Sequence, residues 1–181
     1  MTINDYRFVA MIQWLKANVV KFIVVADISD VVFLKDPFDY LSFRHKEGKG
    51  LFLSDDFGTF SSNRYHQGIT RQCYPYLHVS KADKIYSAGL WAGEYEVILQ
   101  VLECIVKQLE VIAIGRGNCN MPVFNLCVQH ILHADLRLMD ECANDNNFFN
   151  QFTLEDDCTS DHFVVHDKCN EWARYTNKEL P

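Results

Sequence analysis

The stretch Phe22-Ile23-Val24-Val25-Ala26-Asp27-Ile28-Ser29-Asp30-Val31-Val32-Phe33 decides how this chain is read. Five apolar residues, two of them valine and one isoleucine, run without a polar break, which is the pattern of a strand covered on both faces and typical of mostly parallel sheets. Asp27 and Asp30 then stand three apart at the strand's exit. Carboxylates there converge only if the backbone turns. Spacing alone leaves two readings open: aspartates that cap the next turn, or hard oxygen ligands for Mg²⁺ or Mn²⁺.

Outward from this point the pattern alternates. Before it, Thr2 and Asp5 suggest a capping box, with Phe8, Met11, Ile12 and Leu15 at helical spacing and Asn18 at the end. After it, Asp36-Pro37 is expected to end strand pairing and open a turn. A short strand over residues 50–54 leads to a second acidic pair, Asp55-Asp56, and residues 58–80 read as an irregular loop. Val97, Val101, Ile105 and Leu109 mark a long amphipathic helix, and Pro122 opens another. Residues 136–139, 148–152 and 162–166 read as late strands. The expectation is an α/β fold with a mostly parallel sheet flanked by helices, in one domain over residues 1–181. Ligands of such sheets bind at the carboxyl ends of strands, where Asp27 stands.

Composition narrows the function. The 181 residues carry a net charge of −7 with no Lys/Arg cluster, which argues against a nucleic-acid surface. An acidic chain handling an anionic substrate needs a cation between them. There is no run of 18 apolar residues, and Met1 to Ala17 lacks a signal-peptide layout, so a soluble chain with no membrane segment is expected. Seven cysteines form no CxxC pair, against a zinc ribbon or thioredoxin-type site. Disulfides and small buried thiols such as Cys104 and Cys127 both remain open.

Four stretches in order resemble the GT-A nucleotide-diphospho-sugar transferases. Asp27-Ile28-Ser29-Asp30-Val31-Val32-Phe33 followed by Asp36-Pro37-Phe38 resembles their D-x-D-type metal motif. Ser87-Ala88-Gly89-Leu90-Trp91-Ala92-Gly93 is similar to the Asn-x-Gly-x-x-x-Gly segment whose small residues admit the donor sugar, and alternatively is a tight packing turn. Asn120-Met121-Pro122-Val123-Phe124-Asn125 resembles the Asp-Gln-x-x-Phe-Asn helix start, with Asn120-Met121 replacing Asp-Gln. His162-Phe163-Val164-Val165-His166 resembles the terminal strand whose last histidine completes the metal site.

The resemblance implies a GT-A-like fold and metal-dependent transfer of a sugar from a nucleotide-diphosphate donor to a hydroxyl of a glycan, protein or small-molecule acceptor. It implies Asp27, Asp30 and His166 as ligands of Mn²⁺ or Mg²⁺, and Ser87, Ala88, Gly89, Asn120 and Lys168 as donor contacts. Asp55 or Asp56 would act on the acceptor hydroxyl or bind sugar hydroxyls, or else sit in a solvated turn. Trp91 either stacks on a sugar or fills the core. Few residues precede Asp27 compared with the strands such a domain spends on the nucleobase. The chain is therefore expected to be the catalytic-side portion of the domain or a reduced relative, and a catalytically inactive binding or assembly subunit is the alternative. A fragment of an anchored enzyme would belong to the secretory pathway or Golgi lumen, and otherwise to the cytoplasm.

Other classes fit less well. A dehalogenase-type phosphatase needs its second aspartate where Ser29 stands, Gly115-x-Gly117 meets Asn120 in place of a third glycine, and His130-x-x-His133 lacks a metalloprotease glutamate.

Overall fold

The computed structural model describes residues 4–27, 31–33, 36–46, 50–60, 62–75, 84–112, 118–134, 149–151 and 164–166. Helix α1 (Tyr6–Ala17) leads into β1 (Phe22–Ala26), as the apolar spacing requires, and buries Phe8 and Leu15. Short β2 (Val31–Phe33) is followed by α2 (Pro37–Lys46) where a turn is expected. Proline at the first helical position loses no hydrogen bond, and Asp36 Oδ1 accepts from the Phe38 amide at 2.8 Å, so the same dipeptide starts a helix.

The residues read as a loop after the second acidic pair belong in part to β3 (Leu51–Thr59) and α3 (Arg64–Cys73). Helix α3 is capped by Asn63, whose Oδ1 accepts from the His66 amide at 3.2 Å. Its buried stripe is His66, Thr70 and Cys73. The helical period is present, but two of its three side chains are histidine and threonine, which a hydrophobic count does not register. Next come β4 (Lys84–Glu94), α4 (Tyr95–Val111), α5 (Asn120–Ala134), β5 (Phe149–Gln151) and β6 (Val164–His166).

The expected mostly parallel sheet is incorrect. The main sheet has the order β1-β4-β3, and β4 runs antiparallel to both neighbours. In the second sheet, of order β2-β6-β5, β2 is antiparallel to β6, and only β5 and β6 are parallel. Continuous apolar runs report burial on two faces, and helices on both faces produce that burial whatever the strand direction. Val25, Leu51, Leu53 and Trp91 pack with α1, α4 and α5. On the other face Phe22, Phe52, Leu90 and Ala92 pack with Leu41 of α2. The central strand β4 is the segment read as a glycine turn. Its insertion between β1 and β3 turns two like-directed strands into an antiparallel sheet.

Close approach explains one glycine. A Cβ on Gly93 would lie 2.6 Å from the Gly50 carbonyl oxygen, which accepts from the Glu94 amide at 2.9 Å. Helix α2 is held to this end of the sheet by His45, whose Nδ1 is 2.7 Å from Glu94 Oε1 and whose ring meets Phe22 edge-on. Among the described residues two disulfides fasten the helical layer: Cys73–Cys119 joins the end of α3 to the residue before α5, and Cys104–Cys127 joins α4 to α5. Beside the first, burial pushes the Tyr74 hydroxyl up to about 12. Among the described residues no helix is long and apolar enough to cross a membrane.

Candidate functional site

Asp27 follows the last residue of β1, and its amide donates to the Gly89 carbonyl at 2.8 Å, continuing the ladder with β4. Its Oδ1 lies 2.9 Å from a guanidinium nitrogen of Arg7, one residue into α1. Both side chains are about a third exposed, at 36% for Arg7 and 35% for Asp27, so the pair contributes at most about 1 kcal/mol to stability. Its effect is on orientation. Arg7 had no signal in the sequence, since one arginine on an amphipathic helix looks like any solvated charge.

Opposite Asp27, β4 departs from regular pairing with β3. Leu53 pairs with Trp91 and Asp55 with Tyr86, so the four residues 87–90 stand opposite the single Ser54. Such bulges re-aim the backbone and concentrate next to functional sites. Here side chains meet the groups the ladder leaves over. The Ala88 amide donates to Met121 Sδ at 3.2 Å, the Gly89 amide to Ser87 Oγ at 3.2 Å, and Ser54 Oγ donates to the Leu90 carbonyl at 2.8 Å. The Ser87-Ala88-Gly89 stretch is therefore an irregularity inside the central strand. Ser87 and Ala88 are buried.

A second irregularity lies beyond it. Residues 56–58 stand opposite Ile85 alone, because Asp55 pairs with Tyr86 and Thr59 with Lys84. The backbone thus places Asp55 across from Tyr86, one residue from the Ser87 bulge, with Asp56 just beyond.

Helix α5 brings the third stretch against the same part of β4. The Asn120 amide donates to Asn118 Oδ1 at 3.1 Å, starting the helix. Asn125 fastens it: Oδ1 accepts from the Tyr86 amide at 2.7 Å, and Nδ2 donates to the carbonyls of Tyr86 at 2.9 Å and Met121 at 3.0 Å. The carboxamide behaves as a short piece of strand laid along β4. Asn120 is 4% exposed, and its Oδ1 has no hydrogen-bond partner among the described residues. A buried acceptor in that position calls for a hydroxyl, an amide or water. Trp91 is fully buried, with its ring 5.2 Å from that of Phe124, so it fills the core.

The fourth stretch arrives through the second sheet. In the β2–β6 register Val31 is opposite His166, which brings the His166 backbone next to the segment following Asp30. Asp30 and Lys168 lie outside the described residues. Thus Asp27, the Ser87 bulge and the Asn120 helix start are directly linked, Asp55 and Asp56 flank the bulge, and the His166 backbone pairs with Val31 of β2.

Among the described residues no three His, Cys, Asp or Glu side chains are gathered as a metal site. The chemistry of the donors nonetheless suits Mn²⁺ or Mg²⁺, because Asp27 offers a hard oxygen at a partly open strand end and already stabilises a positive charge beside it. Sequence reading missed Arg7, Ser54 and the fastening roles of Met121 and Asn125. Of these, Met121 and Asn125 stand inside a quoted motif, and only Asn125 matches its pattern. The sequence matches no protein-family model and no curated protein.

Proposed function

We propose that this chain is a metal-dependent glycosyltransferase domain that passes a sugar from a nucleotide-diphosphate donor to an acceptor hydroxyl. The observation that carries the reading is the link between stretches far apart in sequence: the Asp27 amide on Gly89, and the Ala88 amide on Met121 beside Asn120. The resemblance draws on these stretches separately, and the fold makes them neighbours.

In this reading Asp27, Asp30 and His166 hold Mn²⁺ or Mg²⁺. When bound, the ion supplies positive charge to the diphosphate leaving group. Arg7 orients the Asp27 carboxylate from α1. Ser87, Ala88, Gly89 and Asn120 are the proposed donor contacts, and because Ser87, Ala88 and Asn120 are buried, the donor reaches them only when the chain above the bulge moves aside. Asp55 or Asp56, across the bulge, takes the acceptor hydroxyl's proton or binds sugar hydroxyls. Lys168 contacts phosphate. Two disulfides support an oxidising compartment, such as the lumen of the secretory pathway.

One observation favours a second reading, a transferase-like binding or assembly subunit without turnover. Arg7 already supplies a cation to Asp27, and a metal must share that carboxylate.

Release of nucleoside diphosphate from a panel of nucleotide-diphosphate sugars, with and without Mn²⁺, separates the two. Mn²⁺-dependent release that Asp27→Asn abolishes, without a comparable change in melting temperature, supports the transferase. Donor binding with no release under any condition supports the subunit.

A further inference from the structure

We propose that the Cys73–Cys119 disulfide is a positioning element for the candidate donor site, distinct in role from Cys104–Cys127, which staples the same helix further along. The inference rests on the transferase reading for the identity of the site, and on the structure alone for the mechanical linkage.

The linkage is a chain of named contacts. Cys119 directly precedes α5, is 3% exposed, and its carbonyl accepts from the Val123 amide at 3.0 Å, the first turn of that helix. The disulfide therefore sets where the first turn begins. Within that turn Met121 presents its sulfur to the Ala88 amide, and Asn120 keeps its buried Oδ1. The residue after Ala88 holds the Asp27 amide through its carbonyl. From the disulfide to the proposed metal ligand the path is Cys119, Met121, Ala88, Gly89, Asp27. On the other side, Cys73 ends α3, and the adjacent Tyr74 amide donates to the Thr70 carbonyl at 2.8 Å, so the bond is anchored in a finished helix.

The contact it controls is a weak one. A thioether is a poor acceptor, and the Ala88 amide sits on the bulge where β3 offers nothing in register. Met121 holds Ala88 only if the first turn of α5 is kept close; Asn125, a turn further along, grips the end of that turn through the Met121 carbonyl at 3.0 Å, and Cys119 holds its start. Cys127 lies beyond Asn125, so Cys104–Cys127 secures the helix body and leaves the start of the first turn to Cys119.

The test compares two double variants of the full chain, Cys73→Ala/Cys119→Ala and Cys104→Ala/Cys127→Ala, by amide hydrogen exchange and by calorimetric titration with Mn²⁺ plus UDP, GDP, ADP or CDP. The first variant is expected to speed exchange at Ala88, Asp27 and the amides of Met121 and Val123 by about tenfold or more over the second, as a local opening would. It is also expected to weaken Mn²⁺–nucleotide binding by a similar factor while the second variant retains it. Met121→Leu, with both disulfides intact, should speed exchange at Ala88 and weaken binding in the same direction, and it serves if the first double variant does not fold. Equal acceleration at these amides in both double variants, or Ala88 and Asp27 unchanged in the first and in Met121→Leu, overturns the proposal. If the unaltered chain binds no nucleotide, the transferase reading fails separately, and exchange alone decides the positioning role.

Discussion

Replacing Gly93 by alanine tests the strand register on which the site depends. The added Cβ would stand 2.6 Å from the Gly50 carbonyl oxygen and 3.2 Å from Ile98 Cδ1. The isoleucine methyl can rotate away, but the carbonyl is backbone and accepts from the Glu94 amide at 2.9 Å. Relieving the contact means parting β3 from β4 at that point. Overpacking costs about 1–3 kcal/mol, and a strained or lost hydrogen bond about 1 kcal/mol. The lower entropy of the unfolded alanine chain offsets about 0.4–1 kcal/mol. The net is a loss of about 2 kcal/mol, roughly a thirtyfold rise in the unfolded fraction. Gly68 is the control, since a Cβ there meets nothing within 4 Å and the residue lies inside α3. Gly68→Ala should gain about 0.5–1 kcal/mol. Urea unfolding of the two variants beside the parent reads both signs. A Gly93→Ala protein as stable as the parent would refute the described approach of β3 to β4.

Other consequences are open to direct measurement. Non-reducing peptide mapping should recover Cys73 linked to Cys119 and Cys104 linked to Cys127; chain-entropy arguments give about 4 and about 3.4 kcal/mol for their loops of 46 and 23 residues, so each double alanine variant should melt well below the parent. Asn125→Leu strips three hydrogen bonds and leaves the Tyr86 amide and carbonyl without them, for a loss of about 2–4 kcal/mol by thermal melting; a loss under about 1 kcal/mol would contradict the fastening role. Burial raises the Tyr74 hydroxyl from 10.0 to about 12, so the unfolded chain releases this proton first. The contribution is complete below pH 10 and lost as pH rises from 10 to 12, and Tyr74→Phe should flatten that part of the urea-midpoint profile.

The elements whose side chains announce their period were legible. Helices α1, α4 and α5 and strand β1 carry apolar stripes or runs, and their positions follow from them. Helix α3 was not, because its inward face is histidine, threonine and cysteine. Strand β4 was misread because Ser87, Ala88, Gly89 and Gly93 look like a turn, whereas small residues are what a central strand needs where a bulge and a neighbouring backbone crowd it. Strand direction left no mark in composition, since burial on both faces is the same for parallel and antiparallel neighbours. Within the site, the acidic strand end and the start of α5 were readable as motifs. The ion pair from Arg7 and the sulfur contact from Met121 were not, because their meaning lies in which distant backbone they reach.

The most direct test of the metal-dependent donor site is a calorimetric titration of the chain with nucleoside diphosphates in the presence and absence of Mn²⁺. Heat that requires both Mn²⁺ and a nucleoside diphosphate, and that Asp27→Asn removes while the fold persists, is the expected result. No heat with any nucleotide at any Mn²⁺ concentration, from a chain whose disulfides and melting are intact, would contradict it.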